Sequence, residues 1–300
     1  MLDGADSLNN LERCLTSVIS DMTHLERRES LLCNSNGRVL DKLLLAAIEG
    51  QMIIVSYDGS NDQTRQILLN GVAWNEEVTV TYADDAISHL TIVGQNIGRV
   101  LVGLGIEFEE LNKSNWTEFG NALLTATSSE VVEAIIPKGE LGHFIEALDI
   151  NGCSRIHEDA WQPLRMSLGI LEINDIYGNL PSEVGLDEYV VLSKGCYPGQ
   201  EIHARLDSRG TASKKLVVLR SVGNFECGKK ASDDIGTIRI TSCCDTGTDS
   251  LAFALVPIRA IELEMISIDE IRDRGILEEK LDTNHRDINN FFRFDDDFQK

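Results

Sequence analysis

Residues 194–201 bring an ammonium, a thiol, a phenol, an amide and a carboxylate into one short segment with the sequence KGCYPGQE. Its glycines and its proline disfavour a continuous helix or strand, because glycine is conformationally free and proline lacks an amide hydrogen. Reactive groups on a sharply turned loop usually serve binding or catalysis, since they contribute little to packing there. The thiol of Cys196 is the group with most chemical scope, because a thiolate is a nucleophile and a metal ligand, and the charge of Lys194 favours the thiolate. The alternative is a buried, inert thiol.

The elements that must position this loop change character along the chain. Before the loop, residues 8–22 have the apolar spacing of an amphipathic helix, and residues 36–37 (Asn-Gly) have the composition of a hairpin turn. Strand, helix and strand patterns follow in alternation, which predicts an α+β unit with a mixed or antiparallel sheet. After the loop, three β-rich runs separated by Gly, Asp and Ser predict a small β-barrel or sandwich.

Two further predictions concern the C-terminal end. Ser267 and Glu270 have the spacing of a capping box, which predicts a helix over residues 268–281. Residues 291–298 mix phenylalanines with aspartates, which indicates either a tail that docks through its aromatic rings or a disordered end.

Composition excludes several classes of function. The formal net charge is -22 and the isoelectric point is near 4.6, so a broad nucleic-acid surface is disfavoured because phosphates would be repelled. The charge indicates either a solvated acidic surface or a docking surface for a basic partner. No apolar run approaches the roughly 18 residues that span a membrane, and the N-terminus lacks the pattern of a signal peptide. We therefore expect a cytoplasmic protein.

The cysteines argue against a resident metal centre. Seven cysteines are scattered along the chain, and no pair has Cys-x-x-Cys spacing. A zinc ribbon or a ferredoxin-like cluster is therefore not expected, and no stably bound metal is predicted. Without an export signal, free thiols in a reducing compartment are the default expectation.

Four segments in order along the chain are similar to one family, the YgfZ-type folate-binding proteins. These proteins belong to the superfamily of the glycine-cleavage T protein, an aminomethyltransferase. The KGCYPGQE segment with its continuation IHAR resembles their signature, and the other segments resemble shorter elements of the family. The resemblance covers roughly residues 1–262, and it rests on these segments: residues 36–40 (NGRVL), 165–170 (RMSLGI), 194–205 (KGCYPGQEIHAR) and 235–242 (IGTIRITS).

The resemblance implies an α+β fold of three domains around a central cavity that accepts tetrahydrofolate, with a C-terminal small β-barrel. Residues 1–50 and 145–210 are predicted to form a discontinuous first domain that carries the KGCYPGQE loop. Residues 51–144 are predicted to form a second α+β domain, and residues 211–262 the barrel. Residues 263–300 are predicted to be an acidic extension without a counterpart in the family.

The resemblance also implies a function, and departures from the T-protein pattern modify it. The T protein has a pair of aspartates where this chain has Asp41 and Lys42, and the lost second position aligns with the catalytic carboxylate. Its pterin-binding glutamate aligns with Phe144, and a folate-contacting arginine aligns with Trp161. These departures indicate a dismantled aminomethyl-transfer site. The non-enzymatic branch with the KGCYPGQE loop is associated with folate-dependent assembly or repair of iron–sulfur clusters.

Each residue of the loop has a role under this resemblance and an alternative. Cys196 is the expected functional thiol, as a nucleophile or a transient ligand. Tyr197 either stacks on a flat heterocycle or packs with its hydroxyl bonded to the backbone. Lys194 and Arg205 are expected to hold the glutamate carboxylate of the folate, since arginine binds carboxylates with two parallel hydrogen bonds. The remaining predicted contacts, which have either a ligand role or a structural one, are Gln200, Glu201, Arg165 and Asp41.

Three hypotheses follow. The first is a folate-binding accessory protein whose partners are a reduced folate and iron–sulfur client or assembly proteins. The second is a folate-dependent aminomethyltransferase of the glycine-cleavage type. The third is an interaction scaffold that has lost folate. We favour the first, because the signature loop is complete while the carboxylates of the transferase are missing.

Overall fold

The chain divides into two compact units that interleave in sequence. The computed structural model describes residues 1–56, 61–221, 223–232, 236–247, 249–262, 276–278 and 290–294. The first unit comprises residues 1–30, 42–157 and 286–300, and the second comprises residues 31–41 and 158–285. The division into three domains and an extension stays a prediction.

Helices and strands are distributed along the whole of the described chain. Those before residue 157 are β1 (Leu2–Asp3), α1 (Ser7–Cys14), β2 (Arg27–Cys33), β3 (Val39–Ile48), β4 (Gln51–Ser56), α2 (Asn61–Asn70), β5 (Thr79–Val80), β6 (Ile87–Val93), α3 (Ile97–Gly103), β7 (Thr117–Phe119), β8 (Ala122–Ser128), β9 (Val131–Pro137), α4 (Leu141–Ile150) and β10 (Cys153–Arg155). Those after it are α5 (Glu158–Ser167), α6 (Ile173–Ile176), α7 (Gln200–Arg209), β11 (Lys214–Ser221), β12 (Lys230–Ser232), β13 (Thr237–Asp245), β14 (Ser250–Pro257), α8 (Ile258–Glu262), β15 (Ile276–Glu278) and β16 (Asn290–Phe294).

The first unit contains most of a five-stranded sheet and all of a six-stranded one. The five-stranded sheet has the order β2-β3-β4-β1-β5, and the chain crosses between the two units within β2 and again within β3. The six-stranded sheet has the order β10-β16-β6-β9-β8-β7 and is mixed, because β16 runs parallel to β10 and antiparallel to β6. The α+β prediction for this part of the chain therefore agrees with the structure.

The two faces of the six-stranded sheet pack differently, and both cores lie within the first unit. One face packs on α3 and α4, with Leu90 and Ile92 of β6 in that core. The opposite face contributes Leu123 and Ile135 to a second core, which also contains residues of β3 and β4. Trp116 closes that core, since its indole N–H donates to the carbonyl oxygen of Leu45 at 3.1 Å. Successive side chains of a strand point to opposite faces of the sheet, so His89 and Thr91 of β6 lie on the face opposite to Leu90.

The helix predicted over residues 8–22 is shorter in the structure. Helix α1 ends at Cys14, and the following Leu15 has extended backbone angles. Leu15 and Ile19 are nevertheless fully buried, so the apolar spacing beyond Cys14 reflects packing of an irregular segment. The carboxylate of Glu12 accepts hydrogen bonds from the amides of Ile19 at 2.5 Å and Ser20 at 2.9 Å, which stabilises that turn in place of helical bonds.

The second unit is built around a five-stranded sheet with the order β12-β13-β14-β11-β15. Within the described residues this sheet is open, because its edge strands β12 and β15 each pair with a single neighbour. Short helices and the 3₁₀ turns Pro181–Glu183 and Asp187–Tyr189 complete the unit. A core formed by β2, β3, α6 and both turns packs with Leu255 of β14.

The C-terminal segment differs from its two sequence predictions. Residues 276–278 form strand β15, within the range predicted to be a helix, and the rest of that range lies outside the described residues. Residues 290–294 form strand β16 between β10 and β6, so this part of the aromatic and acidic segment is an internal strand. Apolar composition alone did not distinguish a docking tail from a sheet strand.

Cys227 and Cys243 form a disulfide, which corrects the expectation that all thiols are free. The bond links β13 to the segment that precedes β12, in the part of the chain predicted as a barrel. In the described ranges, no helix combines the length and apolarity that crossing a membrane requires. The same ranges contain no cluster of three or more His, Cys, Asp or Glu side chains arranged to hold a metal ion.

Candidate functional site

The KGCYPGQE segment is an irregular turn that ends in a helix. Residues 194–195 form a bend and residues 198–199 a turn, and Gln200 is the first residue of α7. Gly199 caps the helix with the left-handed backbone angle φ = 85°, and the amide of Gln200 donates to the carbonyl of Tyr197 at 3.3 Å. Glycine is needed there because other residues rarely adopt a positive φ.

Gly199 also touches the hairpin turn that contains Gly37. A Cβ atom added to Gly199 would lie 2.3 Å from the Cα of Gly37, and one added to Gly37 would lie 2.8 Å from the Nε2 of His203. The backbones of the two turns therefore pack directly on each other. Each of the two segments NGRVL and KGCYPGQE therefore needs a glycine at its turn, because the other segment leaves no room there for a side chain.

A short chain of hydrogen bonds fixes the inside of the loop. The Nε2–H of His203 donates to the carbonyl oxygen of Gly37 at 2.8 Å, which leaves Nδ1 as the acceptor. The hydroxyl of Tyr197 lies 3.4 Å from that Nδ1 and donates to it. Both side chains are only 6% exposed. The ring of Tyr197 is therefore packed inside the loop, as one of the two predictions had it. Its hydroxyl, however, bonds to a side chain, whereas that prediction named the backbone as its partner.

Burial raises the pKa of Tyr197 from 10.0 to about 12, with a smaller contribution from Cys33. Below pH 10 the phenol is protonated in both the folded and the unfolded chain. As the pH rises from about 10 to about 12, the unfolded chain loses this proton first, so the stability of the fold decreases across that window. We expect the free energy of unfolding to fall more steeply between pH 9 and about pH 11 in the wild type than in Tyr197→Phe, measured by urea unfolding. Equal slopes for the two proteins would contradict this assignment.

The other polar side chains of the loop differ in their roles. The amide of Gln200 donates to the carbonyl oxygens of Leu192 at 3.0 Å and Lys194 at 3.2 Å, so it orders the loop. The ammonium of Lys194 lies 5.7 Å from the centre of the Tyr197 ring, within the range of a cation–π contact. Glu201 and Arg205 form an ion pair at 3.1 Å on the exposed face of α7. Exposed pairs of this kind contribute little to stability, so both groups remain accessible to a ligand.

Cys196 is the exposed free thiol of this arrangement. Among the free cysteines, Cys14, Cys33 and Cys153 are buried, and Cys244 is partly buried against the sulfur of Met166 at 3.5 Å. Burial raises the pKa of Cys33 to about 12, which makes that thiol inert at neutral pH. The predicted alternative of a buried Cys196 therefore does not apply, and the thiol is presented to solvent by a loop whose neighbours hold it in place.

Arg165, predicted as a folate contact or a structural ion pair, is structural in this fold. Its side chain is fully buried and pairs with Asp175 at 3.0 Å and Glu172 at 3.1 Å. The carboxylate of Asp175 also accepts hydrogen bonds from the hydroxyls of Thr241 and Ser242, each at 2.6 Å. This network joins α5, α6 and β13 within the second unit. Arg165 therefore offers no exposed group to a ligand.

The positions at which the chain departs from the T-protein pattern have structural roles. Asp41 is fully buried in β3, and the ammonium of Lys42 pairs with Glu29 at 3.3 Å. Phe144 lies on α4 in the core beneath the six-stranded sheet, and the indole of Trp161 donates to Glu172 at 3.0 Å. Phe144 is therefore a core residue of this chain, and its alignment with the pterin-binding glutamate of the T protein stays a prediction.

A buried polar cluster in the first unit was missed by sequence reasoning. The carboxylate of Glu133 on β9 lies 2.9 Å from Nε2 of His89 and accepts a hydrogen bond from the hydroxyl of Thr91, also at 2.9 Å. Glu133 is 6% exposed, which is rare for a carboxylate without a special role. The signal was present in the sequence, because a single glutamate interrupts the apolar run VVEAIIP and two polar residues alternate along β6.

Comparisons with known proteins place this fold. No protein-family model matches the chain. The chain is 24% identical over 246 residues to an aminomethyltransferase of Caldanaerobacter subterraneus subsp. tengcongensis, an alignment that covers 75% of this chain and 64% of that protein. The chain therefore spans just under two thirds of the length of this relative.

The structure is similar to the crystal structure of the glycine cleavage system aminomethyltransferase T from Bartonella henselae. The TM-score is 0.75 at 20% identity, over 92% of this chain and 80% of that one. The chain has the mixed α/β fold of the T protein, and the predicted resemblance to this superfamily is confirmed. The narrower assignment to the YgfZ-type branch stays a prediction.

Proposed function

We propose that this protein is a folate-binding accessory protein that supports the assembly or repair of iron–sulfur clusters in client enzymes in the cytoplasm, with Cys196 as its working group. The observation that carries the proposal is the construction of the KGCYPGQE loop. Tyr197, Gln200 and Gly199 are occupied in holding the loop together, and Cys196 is left exposed at its surface. A loop built in this way presents a thiol.

The positive charges of Lys194 and Arg205 suit a ligand that bears a carboxylate. Lys194 lies two residues before Cys196, and Arg205 is exposed on the first turns of α7. A guanidinium binds a carboxylate through two parallel hydrogen bonds, so Arg205 is suited to the glutamate end of a reduced folate. In that state Arg205 would exchange its exposed partner Glu201 for the ligand, at little cost in free energy.

The thiol of Cys196 is suited, for a separate reason, to the assembly or repair of clusters in the client enzymes. A cysteine thiolate is the usual ligand of iron in iron–sulfur clusters, which are here the cargo of the client enzymes. An exposed single thiol binds such a cargo weakly, which favours transfer over storage.

A second candidate is a folate-dependent aminomethyltransferase, and the buried Glu133 favours it. Its carboxylate is buried and has two hydrogen-bonding partners, His89 and Thr91, on the same sheet face. The sequence relative and the similar structure both have the name aminomethyltransferase. This candidate requires turnover with a lipoyl-linked aminomethyl donor and tetrahydrofolate.

The test separates folate binding from the role of the thiol. Cys196→Ser should bind tetrahydrofolate as the wild type does in a calorimetric titration, because the hydroxyl preserves the shape of the loop. The same variant should fail to restore the activity of a [4Fe–4S] dehydratase in a deletion strain, since serine is a poor iron ligand. Cys244→Ser is the matched control, because it removes a partly buried free thiol away from the loop.

Three results would contradict the proposal. Full complementation by Cys196→Ser would show that the thiol has no role in the client step. Release of ammonia above background, with the lipoyl-linked donor and tetrahydrofolate, would favour the transferase instead. Absence of folate binding by the wild type would leave the third hypothesis, the scaffold.

A further inference from the structure

A small cavity in the second unit lies beside the helix that follows the signature loop. Its volume is about 290 Å³, and it is lined by residues of the two 3₁₀ turns, by Val190 and Leu192, by α7 and by Gly210 and Ala212. Ligand pockets range from about 300 to 1,000 Å³, so this cavity suits a small group or one long side chain better than a whole folate. Val190, Leu192 and Leu206 give it an apolar wall.

The polar groups of the cavity are hydrogen-bond acceptors or are already paired. Asp187 and Asp207 line it with exposed carboxylates, and neither has an ion pair within the described residues. The hydroxyl oxygen of Ser182 is buried and has no hydrogen-bond partner in the same ranges. His203 forms part of the wall, and both of its ring nitrogens are used by Gly37 and Tyr197. The free polar capacity of the cavity is therefore mainly that of carboxylate and hydroxyl oxygens.

We propose that this cavity binds the side chain of an arginine from a basic segment of a partner protein. An arginine side chain has an apolar stem that fits the Val190, Leu192 and Leu206 wall, and its guanidinium has five N–H donors and no acceptor. Those donors match the two carboxylates and the unpaired hydroxyl. The net charge of -22 also favours a basic partner over an acidic or neutral one.

The proposal is independent of folate binding and of the function of Cys196. It concerns only the groups on and beside α7. The sequence left open whether the acidic composition reflects a solvated surface or a docking surface for a basic partner, and the proposal takes the second. Because the rim carboxylates are exposed, each contributes modestly, and most of the specificity comes from the fit of the stem and the buried hydroxyl.

The test uses the full chain and two peptides that differ at one group. The probe is an N-acetylated, C-amidated Gly-Ala-Arg-Ala-Gly pentapeptide, and its control contains citrulline, which keeps the shape of arginine without the charge. Binding is measured by calorimetry or by NMR titration at low salt. We expect the arginine peptide to bind measurably and to weaken as salt is added, and the citrulline peptide to bind at least about tenfold more weakly.

Variants locate the binding. The double variant Asp187→Asn with Asp207→Asn should weaken the arginine peptide by about tenfold, because it removes both rim charges and keeps the side-chain shapes. Glu188→Gln is the matched control, because it removes the same charge from an exposed neighbour of Asp187 that does not line the cavity. It should change the affinity by less than about twofold.

Each remaining outcome counts against the proposal. Equal binding of the arginine and citrulline peptides would show that charge is not recognised. Equal losses in the double variant and in Glu188→Gln would show general attraction by an acidic surface. If n-propylguanidinium binds as tightly as the pentapeptide, the occupant is a free small cation and the polypeptide assignment is wrong. No binding of the pentapeptide at millimolar concentration would overturn the site itself.

Discussion

Replacing Asp175 with alanine is expected to lower the free energy of unfolding by about 3–5 kcal/mol, because it removes one of the two carboxylates that pair with a buried guanidinium, together with the hydrogen bonds of that carboxylate. Oδ2 of Asp175 accepts from Nη1 of Arg165 and from the amide of Glu172, each at 3.0 Å. Oδ1 accepts from Thr241 and Ser242, each at 2.6 Å. Alanine would remove all four hydrogen bonds at once, and the buried guanidinium would retain only Glu172 as an ionic partner.

The measurement is urea unfolding at neutral pH, followed by circular dichroism. Glu201→Ala is the matched control, since it breaks the Arg205–Glu201 ion pair, which has a similar separation of 3.1 Å but lies on the surface. That control should change the stability by less than about 1 kcal/mol. A second variant, Asp175→Asn, keeps the size of the side chain but loses its charge, and it should fall between the two. Similar stabilities for Asp175→Ala and Glu201→Ala would contradict the structural role assigned to the network.

The second large effect is expected at Gly199. Gly199→Ala should destabilise the protein and also displace the loop, because the added Cβ would overlap the backbone of Gly37 at 2.3 Å. Two costs add: about 1–2 kcal/mol for an alanine in the left-handed region, and about 1–3 kcal/mol for overpacking against a backbone that cannot rotate away. Because the loop carries Cys196, we also expect the rate of thiol modification by a disulfide reagent to change.

Gly185 is a control for the first of these costs. It has a similar left-handed angle, φ = 72°, but a Cβ there would meet nothing within 4 Å. Gly185→Ala should therefore cost about 1–2 kcal/mol and leave the modification rate of Cys196 unchanged. If Gly199→Ala is no worse than Gly185→Ala in urea unfolding, the two turns do not pack as described.

Local sequence features predicted the fold class and the character of the loop. Glycine, proline and the clustered polar groups predicted a sharply turned segment, and residues 194–199 have that geometry. Alternating and helical apolar patterns predicted an α+β first part and a β-rich last part, which the sheets confirm. These features depend on backbone preferences and on burial, which nearby residues largely determine.

Long-range contacts could not be predicted in the same way. Tyr197 was expected either to stack on a ligand or to bond to the backbone, but its partner is His203, which is itself held by Gly37, 166 residues earlier in the chain. Arg165 was expected to have either a ligand role or a structural one, and only the structure shows the two carboxylates that pair with it. Glu133 was missed because the role of a single carboxylate depends on its neighbours, which here lie on another strand.

The contact between Gly37 and α7 also bears on the order of events during synthesis. The ribosome adds about 5–20 residues per second, so the hairpin at Gly37 leaves the ribosome roughly ten to thirty seconds before the segment that packs on it. Until then the carbonyl of Gly37 lacks the donor that His203 provides. Assembly of the thiol-bearing loop is a late step, and we expect folding to be slow for a chain of this size.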